Sequence, residues 1–415
     1  MLIQPRLPVL DIIGNSNYRR FWLAGISGNM ARWSWLLGST FLVFNLSGSI
    51  FLTQMTGVAF SASHLFLGLV SGILVDRFNR RWILSVCYVV NSLVALTIVL
   101  LLWFGDIRTW HVISLTAIFG VFLTLDLVTR QAIPLDLVNR EKLQSAMALE
   151  TLSIFGGMML GPLFAGLIIG SFPFDDLRNV AFVYIAILGY YFVSMGAIRN
   201  LVIPPKMVVS PEAVSFAPSL SSLSAGLRAV GSNPAIIGLL GVSIVFNFTV
   251  PPHLPLIPVF AKEVLEVGPR AMGVLGSAMG FGSVLGALVI ASRRNLGRKS
   301  TFYWGGALTG MSMVLLFGLS RSYILSICAL IGVGIGASAF TIMQATIIVL
   351  SVDENVRGRV LGVLSMVIGF LPLGTLTVGG LAARYGPGPA VVSVSSVGLV
   401  LAVAWIIRTR TLRSI

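Results

Sequence analysis

The sequence predicts an all-α membrane protein with twelve transmembrane helices arranged as two six-helix bundles. Three observations predict this fold: an apolar composition, twelve long apolar runs and an internal repeat. Of the 415 residues, 56% are hydrophobic and only 10% are charged, and the mean hydropathy is +0.95. Soluble domains are about a quarter charged, because charged side chains keep their surface hydrated. The composition therefore excludes a soluble protein.

Each predicted helix is an apolar run close to or above the roughly 20 residues that cross the hydrocarbon core of a bilayer. The predicted spans are residues 21–46, 52–75, 82–104, 110–130, 143–170, 180–199, 235–259, 271–291, 302–319, 322–350, 358–382 and 389–407. The runs are continuous and lack the alternation of membrane β-strands, which excludes a barrel. The longer spans are expected to tilt in the bilayer.

A polar connection divides the spans six and six. It carries Pro204, Pro205, Pro211 and Pro218 and the run SLSSLSAG, a composition typical of a linker. The predicted domains are an N-terminal six-helix bundle at residues 1–200, a cytoplasmic linker at 201–234 and a C-terminal six-helix bundle at 235–415.

The two halves share a weak repeat. Residues 129–149 align with residues 342–362 at an offset of 213, which places Gln131 on Gln344 and Gly161 on Gly374. Both segments follow the fourth span of their half. Two halves related in this way are an architecture of secondary transporters, in which the substrate binds between the halves near the centre of the membrane.

Basic residues recur in small groups between the apolar runs, although the net charge is +14. This distribution is typical of membrane loops and not of a nucleic-acid-binding surface. With the N-terminus inside, the inner segments hold 21 of the 28 Lys and Arg residues, the outer loops hold six, and Arg32 lies within a span. We therefore expect a multi-pass protein of the cytoplasmic (inner) membrane with both termini in the cytoplasm.

The sequence lacks the motifs of several other chemistries. Cys87 and Cys328 stand inside apolar runs, without the spacing of a metal or redox motif. There is no Gly-x-x-x-x-Gly-Lys loop for direct use of ATP. No set of nucleophile and base falls at membrane depth. We therefore expect no enzyme, no cofactor and no metal.

The loop GILVDRFNRR, residues 72–81, concentrates four charges in a chain that otherwise avoids them. It resembles the loop motif Gly-x-x-x-Asp-Arg-x-Gly-Arg-Arg of the major facilitator superfamily, with Asn79 where Gly is usual. The segments NYRRFWLAGISGN and GPLFAG are similar to those of an exporter branch that includes the enterobactin exporter and macrolide-efflux-like proteins. The alternative interpretation of the loop is purely topological, since three arginines alone would hold it in the cytoplasm.

The resemblance implies a cytoplasmic latch between the halves. In the family, the loop Asp faces the start of span eleven when the transporter is open to the outside. The predicted latch residues are Gly72, Asp76, Arg77, Arg80 and Arg81 in the loop and Arg357 and Arg359 across from it. A contact worth roughly 1–3 kcal/mol would shift a two-state balance about tenfold or more.

Three charged residues fall within spans, namely Asp126, Glu150 and Arg32. A charge at bilayer depth costs a few kcal/mol, so such groups usually form ion pairs or take part in the protein's function. Compared with the exporter branch, Arg32 and Glu150 are an added base and an added acid, which predicts a compensating pair between spans one and five. Asp126 shares a helix face with Arg130. Two interpretations stay open: static ion pairs, or proton coupling in which Asp126 or Glu150 binds and releases a proton near Arg32.

Candidate substrate-binding residues face the interior from both halves. They are Asn29, Arg32, Trp33 and Asp126 in the first half and Asn247, Phe248, Thr341 and Gln344 in the second. Their aromatic and amide character suits an amphipathic ligand. Gly157, Gly161 and Pro162 on span five are predicted to allow close helix packing, and the resemblance implies that a Gly-Pro pair there is typical of exporters.

The sequence thus predicts a proton-coupled antiporter that exports a small amphipathic molecule, a drug or a siderophore, by alternating access. The expected partners are the small-molecule substrate, protons and membrane lipid, with no nucleic acid, and the expected state is a monomer. One alternative is a lipid or lysophospholipid transporter of the same fold. Another is a membrane sensor or scaffold that does not transport.

Overall fold

A computed structural model of the protein describes residues 12–139, 142–172, 176–203, 230–231, 233–292, 298–352, 360, 363–364 and 366–409. These residues are almost entirely helical. Ten of their helices are long and apolar enough to cross a membrane. Two more, at the start of the chain, have 32 and 28 residues. The prediction of an all-α, multi-pass membrane protein is confirmed.

The N-terminal half contains six long helices in its described residues. They are α1 (Ser16–Ser47), α2 (Ile50–Arg77), α3 (Arg80–Phe104), α4 (Thr109–Ala132), α5 (Leu143–Ile169) and α6 (Ala181–Arg199). A short helix, Pro134–Leu137, follows α4, and a 3₁₀ turn, Leu177–Val180, precedes α6. The linker residues 204–229 lie outside the described residues.

The second half begins with an interrupted span, α7, which is made of four short pieces. They are an α-helix at Pro234–Thr249, a 3₁₀ turn at Pro251–Leu256, a helical turn at Ile257–Val259 and a π-turn at Phe260–Val264. The remaining helices are α8 (Pro269–Ser292), α9 (Lys299–Leu319), α10 (Tyr323–Ser351), α11 (Leu371–Tyr385) and α12 (Pro387–Arg408).

The interruption of α7 has a direct cause in its sequence PPHLPLIP, residues 251–258. Proline has no backbone N–H, so each one leaves a carbonyl oxygen in the preceding turn without its helical donor. One backbone carbonyl in this segment is satisfied from the other half of the protein, because Gln54 Nε2 donates to Pro252 O at 3.1 Å. The predicted span at 235–259 is present, within a candidate membrane span at Pro234–Val264, and its interruption by short 3₁₀ and π turns was not predicted.

Polar side chains and glycines set the helix ends. Asn15 accepts hydrogen bonds from the backbone N–H groups of Asn17 and Tyr18 and so begins α1, and Gly48, with φ of 62°, ends it. Asn79 accepts from Arg81 N at 2.9 Å and caps the start of α3. The residue that departs from the usual loop motif therefore serves as a helix cap.

The two halves meet along two helix pairs, α5 with α8 and α2 with α11. The α5–α8 contact depends on glycine, because a Cβ atom built on Gly166 would overlap the backbone of Gly273. At the α2–α11 contact, a Cβ on Gly379 would overlap the side chain of Gln54. Small residues thus let the backbones of the two bundles approach closely.

The described hydrogen bonds between the halves all lie on one side of the molecule. We name the side where α1 begins and α12 ends the terminal side, and the other the opposite side. On the opposite side, Lys262 Nζ donates to Asn45 Oδ1 at 3.0 Å and Arg270 Nε donates to Gly170 O at 3.0 Å. The Gln54 bond to α7 lies one turn inward from them. The halves are therefore closed together on the opposite side.

Candidate functional site

A cavity of about 290 Å³ lies between the two halves. Its walls come from α1, α2 and α5 on one side and from α7, α8, α10 and α11 on the other. Arg32, which lines it, stands at the middle of α1. The cavity thus lies between the halves, at the level of the middle of α1, and its use as a substrate site stays a prediction.

The wall from the N-terminal half combines one cation with aromatic rings. The Arg32 guanidinium carbon lies 5.0 Å from the centre of the Trp33 ring and 6.0 Å from that of Phe60. These distances fit cation–π contacts. Arg32 Nε and Trp33 Nε1 are both buried, and neither finds a hydrogen-bond acceptor among the described residues. His64 completes this wall, with Nδ1 3.3 Å from Ser61 O.

The wall from the C-terminal half is aromatic and amide in character. Phe246 stacks on Phe340 with ring centres 3.9 Å apart. Gln344 Nε2 donates to Ser243 Oγ at 2.6 Å, and Asn247 Nδ2 donates to Ser243 O at 2.9 Å. Ser243 therefore orients both amides and makes this wall a fixed polar surface.

The structure brings five of the eight predicted substrate-binding residues to the cavity. They are Arg32, Trp33, Asn247, Thr341 and Gln344. Asn29 lies instead in the contact between α1 and α5, where it donates to Gly25 O at 3.0 Å and Ser153 Oγ at 3.3 Å. Phe248 and Asp126 are partly buried but are not among the residues that line the cavity.

Sequence analysis missed four phenylalanines that line the cavity, namely Phe60, Phe155, Phe246 and Phe340. One of them carried a usable signal. Phe340 precedes Gln344 by four residues, and side chains at this spacing share a helix face. The others stand in apolar helices where sequence offers no reason to choose one phenylalanine over another.

The predicted ion pair between Arg32 and Glu150 is wrong, because Glu150 pairs with Arg130. Arg130 Nε lies 2.8 Å from Glu150 Oε1, and Nη2 lies 2.8 Å from Oε2. Arg130 lies in the last turn of α4 and Glu150 in the second turn of α5, so both lie toward the terminal side. Arg32 lies deeper, at the middle of its helix.

The Arg130–Glu150 pair is buried and well supplied with further partners. Arg130 Nη2 also donates to Phe21 O at 3.3 Å, and its guanidinium carbon lies 4.4 Å from the Phe21 ring centre. Tyr88 Oη accepts from Arg130 Nη1 at 3.4 Å. Both carboxylate oxygens of Glu150 and all three guanidinium nitrogens are therefore engaged, which is the arrangement of a static pair.

Asp126 is less well satisfied than Glu150. Its Oδ1 is buried and has no hydrogen-bond partner among the described residues. The local bridge to Arg130 predicted by their spacing does not form, because Arg130 is engaged with Glu150. Asp126 is close enough to Arg32 and Arg130 to interact electrostatically with both. An incompletely paired carboxylate thus lies beside the cation that lines the cavity.

The loop arginines predicted for the latch make contacts within the N-terminal half. Arg80 donates to Ala132 O at 2.9 Å and forms an ion pair with Asp136. Arg81 donates to the carbonyl oxygens of Arg199 and Leu201, at the end of α6. Arg80 and Arg81 thus tie α3 to α4 and α6.

The rest of the predicted latch stays a prediction. The side chain of Asp76 and residues 353–359, which include Arg357 and Arg359, lie outside the described residues. Arg77 is exposed. No described atom lies within 4 Å of a Cβ built on Gly72, so no described residue packs closely against this glycine.

The small residues of α5 pack against helices on both sides. A Cβ on Gly157 would overlap Asn29, and one on Gly161 would meet the backbone of Met30 in α1. Ser34 Oγ donates to Gly161 O at 2.9 Å. Pro162 lies against Gly276 of α8. The predicted close packing is present, with α5 held between α1 and α8.

Neither a metal site nor a disulfide is found in the described part of the chain. No three His, Cys, Asp or Glu side chains there come together as a metal site would require. Cys87 is buried, Cys328 is exposed, and both are free thiols.

Comparison with known proteins adds to this geometry. A family model described as "Transmembrane secretion effector" matches residues 11–414. The enterobactin exporter EntS of Shigella flexneri is 25% identical over 351 residues, covering 83% of this chain and 80% of the relative. EntS of Escherichia coli O139:H28 (strain E24377A / ETEC) is 26% identical over 354 residues, with the same shares.

Solved structures with the same architecture include two transporters. One is a bacterial homolog of the human lysosomal transporter Spinster, in an inward-facing and unoccupied conformation, with a TM-score of 0.67, 15% identity and coverage of 96% of this chain and 95% of that chain. The other is the nucleoside transporter NupG, with a TM-score of 0.68, 15% identity and coverage of 95% and 99%. At these identities the likeness concerns the fold alone.

Proposed function

Because this chain belongs to the transmembrane secretion effector family and has the two-bundle fold of major facilitator transporters, we propose that it exports a small amphipathic molecule in exchange for protons. Family membership confirms the resemblance predicted from the loop motif. It also confirms the prediction of a transporter in place of an enzyme, because the relatives and structural neighbours are transporters.

The single observation that carries the proposal is the cavity between the two bundles, which are joined by described hydrogen bonds on the opposite side. The three described hydrogen bonds between the halves lie toward the opposite side and involve Gln54, Lys262 and Arg270. If the termini lie in the cytoplasm, as the distribution of basic residues predicts, this is the inward-facing state. Export requires these contacts to break while the halves close on the terminal side.

The exporter relatives support the direction of transport. The curated relatives that match 83% of this chain are exporters of enterobactin. Their substrate belongs to them, and at about a quarter identity it does not transfer to this chain. What transfers to the proposal is the direction, from the cytoplasm outward across the cytoplasmic membrane.

We assign proton coupling to Asp126 and a structural role to Glu150. Glu150 has both oxygens bound by Arg130, whereas Asp126 Oδ1 is buried without a partner. A buried carboxylate that lacks partners gains more from binding a proton than one in a bidentate pair. Arg32 lines the cavity and interacts electrostatically with Asp126, so protonation of Asp126 changes the field at the substrate site. This links proton binding to substrate affinity.

The test is proton exchange in reconstituted vesicles. Liposomes that contain the purified protein and a trapped pH-sensitive dye are given an imposed pH gradient and then a macrolide, a catecholate siderophore or a lipophilic cation. We expect at least one compound to discharge the gradient through the wild-type protein. Asp126→Asn should abolish this discharge while it preserves gradient-free exchange of labelled substrate, because the neutral amide cannot change its protonation.

Asp106→Asn is the matched control, since Asp106 is exposed in the loop after α3. It should behave as wild type. Full gradient-driven transport by Asp126→Asn would refute the assignment of coupling to this residue. Failure of every compound in the panel to move protons through the wild-type protein would count against proton-coupled export itself.

A further inference from the structure

We propose that the substrate is a lipophilic organic anion with an aromatic ring, whose anionic oxygens bind Arg32. This inference rests on the proposed function, because it assigns the substrate class of the same cavity. The observations behind it are the charge of the lining residues, the unsatisfied donors of Arg32 and Trp33, and the rings that surround them.

Arg32 is the one fixed charge among the described residues that line the cavity, and none of those residues is acidic. A guanidinium stays charged at any physiological pH. A charge at membrane depth is costly unless an opposite charge or hydrogen-bond acceptors meet it. Asp126, the nearby acid, is outside the lining and forms no salt bridge with Arg32 within the described part of the structure. The site therefore favours an anion.

The cavity wall formed by the N-terminal half contains hydrogen-bond donors that have no acceptor among the described residues. The rings of Trp33 and Phe60 contact the guanidinium at 5.0 and 6.0 Å without using its N–H groups. Arg32 Nε and Trp33 Nε1 have no acceptor in the described residues. A planar guanidinium matches a carboxylate or sulfonate through two parallel hydrogen bonds. A bound anion would therefore satisfy groups that the protein leaves unsatisfied.

The remaining surface selects for a ring. Phe155 projects from α5, and the stacked pair Phe246 and Phe340 faces it from the other half. Asn247 adds a polar group without charge. Aromatic rings pack favourably against one another, and a cation would be repelled by Arg32 with no acidic side chain among the described lining residues to attract it. The volume of about 290 Å³ is at the lower end for a small-molecule site.

The experiment compares three probes of nearly equal shape: 2-naphthoate, 2-naphthamide and 2-naphthylmethylammonium. Binding to the purified full-length protein in lipid nanodiscs is measured by equilibrium dialysis. We expect the anion to bind about tenfold or more tightly than the amide, because a hydrogen bond between two charged groups is stronger than one to a neutral group. The ammonium should bind more weakly than either.

Arg32→Gln should remove the preference for the anion, and Arg32→Lys should keep part of it. Arg384→Gln, at an exposed arginine outside the cavity, is the control and should bind as wild type. If Arg32→Gln does not fold, Asn247→Asp tests the same idea by adding an acid to the opposite wall. This substitution should weaken the binding of 2-naphthoate and strengthen the binding of the ammonium probe.

Equal binding of the three probes, or a preference that survives in Arg32→Gln, would overturn the inference. The dialysis needs no gradient, so its outcome is separate from the transport test. Binding of 2-naphthoate through Arg32 without any proton exchange would leave the inference standing and remove the proposed function. Proton-driven transport of a macrolide or a lipophilic cation by a protein with no preference for the anion would support the proposed function and overturn the inference.

Discussion

At the scale of single residues, Arg130 and Glu150 form a buried, bidentate ion pair in the N-terminal bundle. Both side chains are almost completely buried, with 3% and 6% of their surfaces exposed. Removing one partner of a buried pair leaves an uncompensated charge, which costs about 3–5 kcal/mol. We expect Glu150→Gln to lower the free energy of unfolding by about this amount, measured by denaturant unfolding in detergent.

The control for this change is Glu263→Gln, because Glu263 is exposed at the end of α7 and should tolerate the amide. The double variant Arg130→Gln with Glu150→Gln tests the cause. It should be more stable than Glu150→Gln alone, since no unpaired charge remains. A single variant as stable as the control would show that the pair contributes little.

At the scale of helices, the sequence predicted well where most of the membrane-spanning helices begin and end along the chain. The third span was predicted at 82–104 and α3 runs from Arg80 to Phe104, and the tenth was predicted at 322–350 and α10 runs from Tyr323 to Ser351. The first span was placed at 21–46, but α1 begins earlier, at Ser16. The first turns of α1 are polar, so hydropathy does not mark where the helix begins. The helix begins there because the side chain of Asn15 caps it.

The rotation of each helix about its axis and the helices that it packs against were harder to predict than its length. The sequence predicted for Arg130 a helix face shared with Asp126, whereas α1 and α5 cover Arg130 and bury it beside Phe21 and Glu150. Hydropathy gives the depth of a residue but not the helix that covers it. The interruption of α7 had a sequence signal in its prolines, but the bond from Gln54 that stabilises it comes from a residue 198 positions away.

The contact between α5 and α8 gives a prediction at this scale. A side chain at Gly166 would overlap the backbone of Gly273 and the Pro269 oxygen. Overpacking typically costs about 1–3 kcal/mol, and here it disfavours the state in which the halves touch on the opposite side. We expect Gly166→Leu to shift the balance toward the state open on that side by about tenfold.

The measurement is the labelling rate of a cysteine at position 45 by a maleimide that does not cross membranes. Cys87 is buried, so replacing the exposed Cys328 with serine suffices for the background. Gly166→Leu should raise the rate severalfold. Gly189→Leu is the matched control, because a Cβ there meets no atom within 4 Å. Equal labelling in both variants would show that this glycine does not hold the halves together.

At the scale of the whole molecule, the two bundles are unequal in their polar content. Among the described residues, the buried Arg130 and Glu150 and the partly buried Arg32 and Asp126 belong to the first bundle, whereas the cavity wall of the second is aromatic and amide. The first bundle is therefore suited to respond to protons and the second to shape the substrate site. Under the proposed alternating access, the bundles move against each other as bodies, with the glycine contacts as the surface along which they slide.

This motion yields the last prediction, because it requires the opposite side to open in every cycle. Lys262 Nζ and Asn45 Oδ1 lie 3.0 Å apart across the two halves. Cysteines at these two positions, in the Cys328→Ser background, can be joined by a short bis-methanethiosulfonate, which forms a disulfide with each thiol and releases methanesulfinate. We expect the link to abolish proton-driven transport in vesicles and a reductant to restore it. Binding of substrate to the cavity should survive, because access from the terminal side is unaffected.

Each single-cysteine variant treated with the same reagent is the control for modification alone. Transport at the unlinked rate by fully linked protein would mean that the halves never separate on this side, and alternating access about this cavity would then be ruled out.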